Sequence, residues 1–223
     1  MSHSYYPVAL DLNGKPCLVV GGGVIADGKL DALLDAGARI TVVSPDVLPR
    51  IEALATGGLI TLHRRRYRSA DIGGTYLVIA ATHDRAANAA VAADGRAAGV
   101  LVNAVDDIPN CDFFAVSVVR RGDLQLAIST AGRSPAFARW MREYLDASLP
   151  AEFGDLLAIL GDVRGTLKAR GPIPAYEHWQ AAITDDVLDA LRSGDREGAA
   201  TRVFDRVVAG VITDEAPVAA LVD

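Results

Sequence analysis

The sequence predicts an α/β protein in three parts: a parallel sheet with helices on both faces over residues 1–112, a small strand-plus-helix region over 113–149, and an all-helical segment over 150–223. Three observations predict it. Short β-branched runs alternate with helical periodicity as far as Pro109, the pattern of a sheet built by crossover connections. A glycine triplet, Gly21-Gly22-Gly23, stands between the first such run and the first helix. Beyond Pro109 the alternation stops, and a hairpin followed by helices takes its place.

In chain order, Lys15–Val20 reads as a buried strand ending in the glycine turn. Ile25, Leu30, Leu33 and Leu34 then fall at helical spacing over Val24–Ala36, and Gly37 closes that helix. Arg39–Val43 (RITVV) is a second strand, stopped by Ser44-Pro45; a helix over Val47–Thr56 and strands at Leu59–His63 and Tyr76–Ala81 follow. The Ala-rich segment Arg85–Ala98 is helical, and Val100–Val105 is the last strand of the sheet. Phe113–Val119 and Leu124–Ser129 flank Arg120-Arg121-Gly122-Asp123 as an antiparallel hairpin turning at Gly122. Ser134-Pro135 supplies an N-cap and a first-turn proline. The helix they open carries the apolar stripe Phe137, Trp140, Met141, Tyr144, Leu145 and Leu149, up to Pro150. Helical periodicity returns at Phe153–Lys168, Asp185–Arg192 and Glu197–Val208, with Gly171-Pro172-Ile173-Pro174 breaking the chain after the first of these.

Composition limits the functions open to such a chain. Hydrophobic residues make up 51% and charged residues 22% of the 223, which is the balance of a folded globular protein. No run approaches the ~20 apolar residues of a membrane span, and Met1–Pro7 lacks the basic flank and apolar stretch of a secretory signal. Acids and bases balance over residues 1–149, at 15 each. The net charge of −6 therefore resides in residues 150–223, with 13 acids against 7 bases. Nucleic acid is not an expected partner, because phosphate binding needs a clustered cationic face. Cys17 and Cys111 are far apart in sequence and belong to no CxxC pair. That suits a reducing cytoplasm, and Cys17 within a strand reads as a small buried hydrophobe. His3, His63, His83 and His178 show no metal-ligand spacing, so no structural metal is expected.

The chemistry-bearing groups cluster at strand ends. Gly21-Gly22-Gly23-Val24-Ile25-Ala26 is a G-x-G-x-x-A match between strand and helix, which makes the sheet Rossmann-like. Its first glycine permits the tight turn, the second a close approach to a pyrophosphate, and Ala26 close helix–strand packing. The usual ribose-binding acid is missing where the second strand ends in Val43-Ser44-Pro45, although Asp46 follows; NAD and NADP are not distinguished here. Ala80–Asp84, with Thr82 and His83, and Asn103–Asp107 end two later strands, where open α/β sheets hold ligands. Asp106 or Asp107 there either acts as a general base or caps the turn before Pro109. Ser129–Pro135 either binds an anionic group or is an ordinary helix cap. The run Arg64–Arg68 reads as a solvated edge or loop in preference to a binding patch.

These motifs together resemble the precorrin-2 dehydrogenase/sirohydrochlorin ferrochelatase family, which includes the N-terminal region of siroheme synthase. The matching segments are VVGGGVIADGK (Val19–Lys29), LLDAGARITVVSP (Leu33–Pro45), VIAATHDRAAN (Val78–Asn88) and VNAVDDIPNCDFF (Val102–Phe114). VVRRGDLQLAISTAGRSPAFARWMRE (Val118–Glu143) and an acidic helical tail follow in the family's order. The resemblance implies oxidation of precorrin-2 to sirohydrochlorin with NAD, and Fe2+ as the substrate of a second, chelating activity. Asp106 falls on the aspartate of the family's N-x-V-D motif and is implied as general base. The implied cofactor contacts are Gly21, Gly23, Val24, Ile25, Ser44, Pro45, Asp46 and Thr82. The implied substrate contacts are Asn103, Ser129, Thr130, Gly132 and Ser134.

The resemblance further implies a cytoplasmic homodimer, paired through residues 113–149, acting on a polycarboxylated tetrapyrrole in an open cleft. Arg120, Arg121, Arg133, Arg139 and Arg142 are candidates for its carboxylates, and surface placement is the alternative for each. This chain departs from the family at Thr130, where some members have serine, and at Ala131, where many have glycine. It also has Val116 in place of a common proline and Gly28 in place of a common arginine. No methyltransferase segment follows, so methylation of the precursor is expected from another protein. Two other uses stay open at this point: a non-enzymatic NAD-sensing module, and a chelatase without the oxidation step.

Overall fold

The computed structural model describes residues 5–212 except Pro172, and the chain divides into two compact units between Ala115 and Val116. In the first, β1 (Pro16–Val20), β2 (Arg39–Val43), β3 (Thr61–His63), β4 (Leu77–Ala80) and β5 (Leu101–Ala104) form one parallel sheet in the order β3-β2-β1-β4-β5. The order reverses at β1, which pairs with β2 on one side and β4 on the other, Val20 lying opposite Val43 and Ala80. That reversal opens a crevice at the carboxyl end of β1. The expected α/β, Rossmann-like fold is therefore the one the chain adopts.

Side-chain alternation along the strands builds two cores. Cys17 and Val19 face one layer, with Leu30 and Leu33 of α1 (Val24–Asp35) and Ile51 of α2 (Pro49–Thr56). Leu18 and Val20 face the other, with Val91 and Ala92 of α3 (Arg85–Ala97). Each fully buried aliphatic side chain contributes roughly 1.5–3 kcal/mol of transfer free energy. Both faces are covered, so the strands read as continuous apolar runs. Burial pushes the Cys17 thiol up to about 11, as suits a core residue. A 3₁₀ turn at Ser69–Ile72, with Ile72 buried, replaces a crossover helix between β3 and β4.

The second unit holds the antiparallel hairpin β6 (Ser117–Arg121) and β7 (Leu124–Ile128), then α4 (Pro135–Ser148), α5 (Phe153–Arg170), α6 (Tyr176–Ala182), α7 (Asp185–Arg192) and α8 (Arg196–Ile212). The hairpin begins later than the sequence suggests, at Ser117 and not Phe113. The Asp112 carboxylate and backbone N–H both bond to Val102, and the Phe113 carbonyl accepts from Asn103 Nδ2 at 2.8 Å, so this stretch stays on the sheet. Leu156, Ile159, Val163, Val187, Ala199, Val203 and Val207 give the last four helices a core of their own. The α6 helix, which periodicity did not reveal, is anchored by Trp179 Nε1 donating to the Pro174 carbonyl at 3.0 Å. Among the described residues, no helix is long and apolar enough to cross a membrane.

Two glycines in the sheet unit's helices have opposite surroundings. A Cβ on Gly95 of α3 would meet Val102 Cγ2 at 2.5 Å and Val78 Cγ1 at 3.5 Å, whereas one on Gly28 of α1 meets nothing within 4 Å. Gly95→Ala is expected to lower stability by about 1–3 kcal/mol through overpacking. Gly28→Ala should raise it by about 1 kcal/mol through helix propensity. Urea unfolding checks both: the two midpoints should move in opposite directions.

Candidate active site

At the end of β1 the chain turns through a gap that admits no side chain. Gly21 has φ 124°, and a Cβ there would overlap the Ala81 carbonyl. A Cβ on Gly22 would overlap the Asp46 carbonyl and lie 2.7 Å from Val47 Cγ1. Hydrogen bonds from Gly21 N–H to the Val43 carbonyl (3.0 Å) and from Leu48 N–H to the Gly22 carbonyl (2.9 Å) fix the turn. Gly23 differs: its nearest neighbour would be His83 Nε2 at 3.9 Å, so its open side faces the crevice. Gly23 also starts α1 without a side-chain cap, leaving first-turn amides for an anion, and Ala26 is fully buried against the sheet.

Gly21, Gly22 and Gly23 line a cleft of about 680 Å³ that also reaches Ser44, Pro45, Asp46, Thr82 and His83. A second hollow of about 350 Å³ contains Ile25, Arg85, Asn88, Asp106 and Asp107. The two share Ala81, Thr82 and His83 as a common wall. The wall is rigid. Asn88, buried in α3, accepts from the Thr82 hydroxyl at 2.7 Å and from Thr82 N–H at 3.2 Å, and returns a bond to the Thr82 carbonyl at 3.0 Å. Asp84 caps α3 by accepting from the N–H groups of Ala86 and Ala87. Sequence reading passed over Asn88, whose signal was an amide inside an otherwise alanine-rich helix.

The two acids after β5 separate in role. The Asp107 carboxylate accepts from Asn110 Nδ2 at 2.7 Å, a turn-capping use. Asp106 is the third residue of a turn closed by Asp107 N–H to the Ala104 carbonyl at 3.2 Å, and its φ of 60° is left-handed. Among the described residues its carboxylate has no hydrogen-bond partner, while it lines the smaller hollow. A non-glycine residue held in this region beside a hollow makes Asp106 a candidate for a functional role.

Other expected site residues fall differently. Ser44 is buried and donates to the Asp46 carbonyl at 2.7 Å, so it shapes the β2 end. Val24 is 77% exposed and lines neither hollow. Asn103, expected at the substrate, is instead buried, and its amide is used on Phe113; it also lines neither hollow. The run Arg64–Arg68 is more than a solvated edge, since Arg66 and Tyr67 line the larger cleft.

In the second unit, Ser134 caps α4 by accepting from Phe137 N–H at 3.2 Å, and the Thr130 hydroxyl donates to the Ser134 carbonyl at 3.2 Å. Ser129 Oγ accepts from Ala131 N–H at 3.2 Å. Ala131 and Gly132 follow with φ of 52° and 74°. The departure from glycine at Ala131 thus sits where an L side chain is strained. Arg121 is occupied by Asp146 and the Leu149 carbonyl, and Arg139 and Arg142 by Glu143. Among the described residues no three His, Cys, Asp or Glu side chains converge as a metal site.

A parallel sheet reversing at β1, with a glycine turn and an uncapped helix facing a cleft, defines a Rossmann-type dinucleotide-binding protein. Residues 8–117 match a family described as "Putative NAD(P)-binding", and residues 121–148 match "Sirohaem biosynthesis protein central". The chain is 40% identical over 198 residues to siroheme synthase 1 of Aeromonas salmonicida, and 39% identical over 197 to siroheme synthase of Methylococcus capsulatus. Each alignment covers 87% of this chain and 42% of the relative, so the chain spans less than half the length of these proteins. Among solved structures it is similar to SirC, precorrin-2 dehydrogenase, with TM-score 0.71 and 28% identity, covering 89% of this chain and 98% of that one. The chain belongs to the siroheme synthase/precorrin-2 dehydrogenase family.

The Thr82–Asn88 network gives a direct test of the shared wall. Asn88→Ala leaves Thr82 N–H and C=O unpaired in a half-buried site and is expected to cost about 1–3 kcal/mol. Calorimetric titration should show weaker NAD binding in the folded variant, as the wall loses its fixed shape.

Proposed function

We propose that this chain oxidises precorrin-2 to sirohydrochlorin with NAD, in siroheme biosynthesis. The observation that carries this reading is the common wall: a dinucleotide cleft and a hollow bearing an unpartnered carboxylate meet at Ala81–His83. The likeness to SirC, precorrin-2 dehydrogenase, over nearly all of that chain supports it.

The residues present fit NAD. The cleft has the size of a small-molecule site, and a Cβ at Gly23 would project into it. Gly23 and the first amides of α1 would hold the pyrophosphate, and the β2 end at Asp46 the ribose. When bound, NAD supplies the acceptor for the hydride that the tetrapyrrole loses. The accompanying proton goes to Asp106, whose carboxylate is committed to no other donor among the described residues. The hydrogen bonds between Thr82 and Asn88 hold the wall between the two sites in place while this happens. A sensor would need the glycine turn but no free carboxylate in the adjoining hollow, and this favours an enzyme.

Fe2+ insertion into sirohydrochlorin is a second use of the same carboxylate, with iron as substrate and Asp106 taking pyrrole N–H protons. The siroheme synthase relatives support this extension. We place the enzyme in the cytoplasm as a homodimer paired through residues 113–149. On α4, Phe137, Trp140 and Tyr144 are about half exposed and stack in series, with ring centroids 5.7 and 5.5 Å apart, a face suited to burial against a second copy.

Anaerobic incubation of precorrin-2 and NAD with the protein should yield NADH together with the sirohydrochlorin spectrum; no NADH from the intact protein overturns the reading. Asp106→Asn keeps a residue tolerant of left-handed φ and should slow turnover about 10²–10⁴-fold with NAD affinity unchanged. In sedimentation, the protein should run at twice the 23.4 kDa of one chain, and Trp140→Asp should shift it toward monomer.

A further inference from the structure

We propose that Arg66 reads the 2′ position of the adenosine ribose, so that the cleft accepts the 2′-phosphorylated dinucleotide NADP as well as NAD. This deepens the reading above at its cofactor end. It rests on the dinucleotide cleft alone and not on the oxidation of a tetrapyrrole.

Two arginines of the run Arg64–Arg68 are already paired with acids. Arg64 pairs with Glu52 of α2. Arg65 makes a bidentate pair with Asp71, 2.7 Å on each arm, and holds that carboxyl below the usual range. The next residue but one, Tyr67, donates its hydroxyl to Asp94 of α3 at 2.9 Å, and Arg68 N–H donates to Asp71 at 2.9 Å. The loop is therefore fastened on both sides of Arg66. Among the described residues, Arg66 has no carboxylate partner, and it is the one Arg or Lys lining the larger cleft.

Its place in the sheet says which end of a dinucleotide it would meet. The pyrophosphate turn follows β1, and the end of β2 is where such folds read the adenosine ribose. The β3 strand pairs with β2, His63 opposite Val43, and Arg66 follows three residues beyond that pair. Arg66 thus stands on the β2–β3 side of the crevice, on the far side of the glycine turn from the hollow that holds Asp106.

The β2 end itself lacks a carboxylate at Val43-Ser44-Pro45, and the Ser44 hydroxyl is used on the Asp46 carbonyl. Asp46 is exposed on the cleft's rim and suits a ribose hydroxyl. A guanidinium held by a fastened loop suits a phosphate, whose geometry it matches in a bidentate manner. With both at the rim, the two cofactor types have separate partners, Asp46 for the 2′-hydroxyl and Arg66 for the 2′-phosphate.

Equilibrium titration of the full chain with NAD and with NADP, followed by calorimetry, tests this without any turnover. Arg66→Gln should weaken NADP about 10- to 100-fold, the range of a charge-assisted hydrogen bond, and NAD by less than about 3-fold. Arg66→Lys should restore part of the loss, and Asp46→Asn should shift preference toward NADP. Circular dichroism checks that each variant is folded. Equal weakening of both nucleotides by Arg66→Gln, or NADP binding unaffected by it, overturns the proposal. An intact protein that binds NAD but not NADP overturns it too, with the dehydrogenase reading untouched. Binding of neither nucleotide removes both.

Discussion

Where β1 runs out, the chain has to pass between the carbonyl of Ala81 and that of Asp46, and no side chain fits there. That gap draws the ends of β1, β2 and β4 together and sets the shape of the cleft above them. Because Gly21 and Gly22 fill it with backbone, α1 can start at once, its open amides turned to the crevice and Ala26 seated on the sheet. The cleft's outer rim at Asp46 and its inner wall at Ala81–His83 are both set by the same close approach.

From that wall the chemistry follows by position. Thr82 is fastened to Asn88, Asp84 caps the helix that carries Asn88, and the hollow on the far side of the wall contains Asp106. The neighbouring acids are absorbed by structure: Asp107 on Asn110, Asp112 on the Val102 amide. Asp106 alone of these three is left with its carboxylate uncommitted among the described residues, on a backbone held left-handed. Two hydrogen-bonded acids and one free acid, within seven residues, convert an ambiguous acidic stretch into one candidate base.

Much of the sheet was legible because each strand, buried on both faces, is a short apolar run closed by a turn residue. Residues Arg39–Val43 and Asp185–Arg192 show how sharply turn and cap residues mark a boundary. The hairpin start was not legible, because Phe113 and Phe114 look like strand, and only the Asn103 and Asp112 bonds tie that stretch to β5. The α6 helix is seven residues long, too short for a 3.6-residue period to declare itself. At the site, the glycine turn could be read from residue type and spacing, whereas spacing left Asp106 and Asp107 as alternatives and only the family resemblance pointed to Asp106. The hydrogen bond from Asn110 to the Asp107 carboxylate separates the two acids in the same sense. Arg66 was hidden in a run of like charges, since a sequence gives the sign of each charge but not its partner. In the acidic tail, too, charge is partly paired: Arg192 with Glu152, Arg196 with Asp155, Arg206 with Asp186.

For the cleft to exist, the gap at Gly21–Gly22 must stay free of side chains. Titrating NAD into the Gly22→Ala protein, with helical content recorded alongside, tests this most directly. The expected result is a folded chain whose affinity for NAD has fallen by at least about tenfold. A Gly22→Ala variant that bound NAD as tightly as the original protein would contradict it.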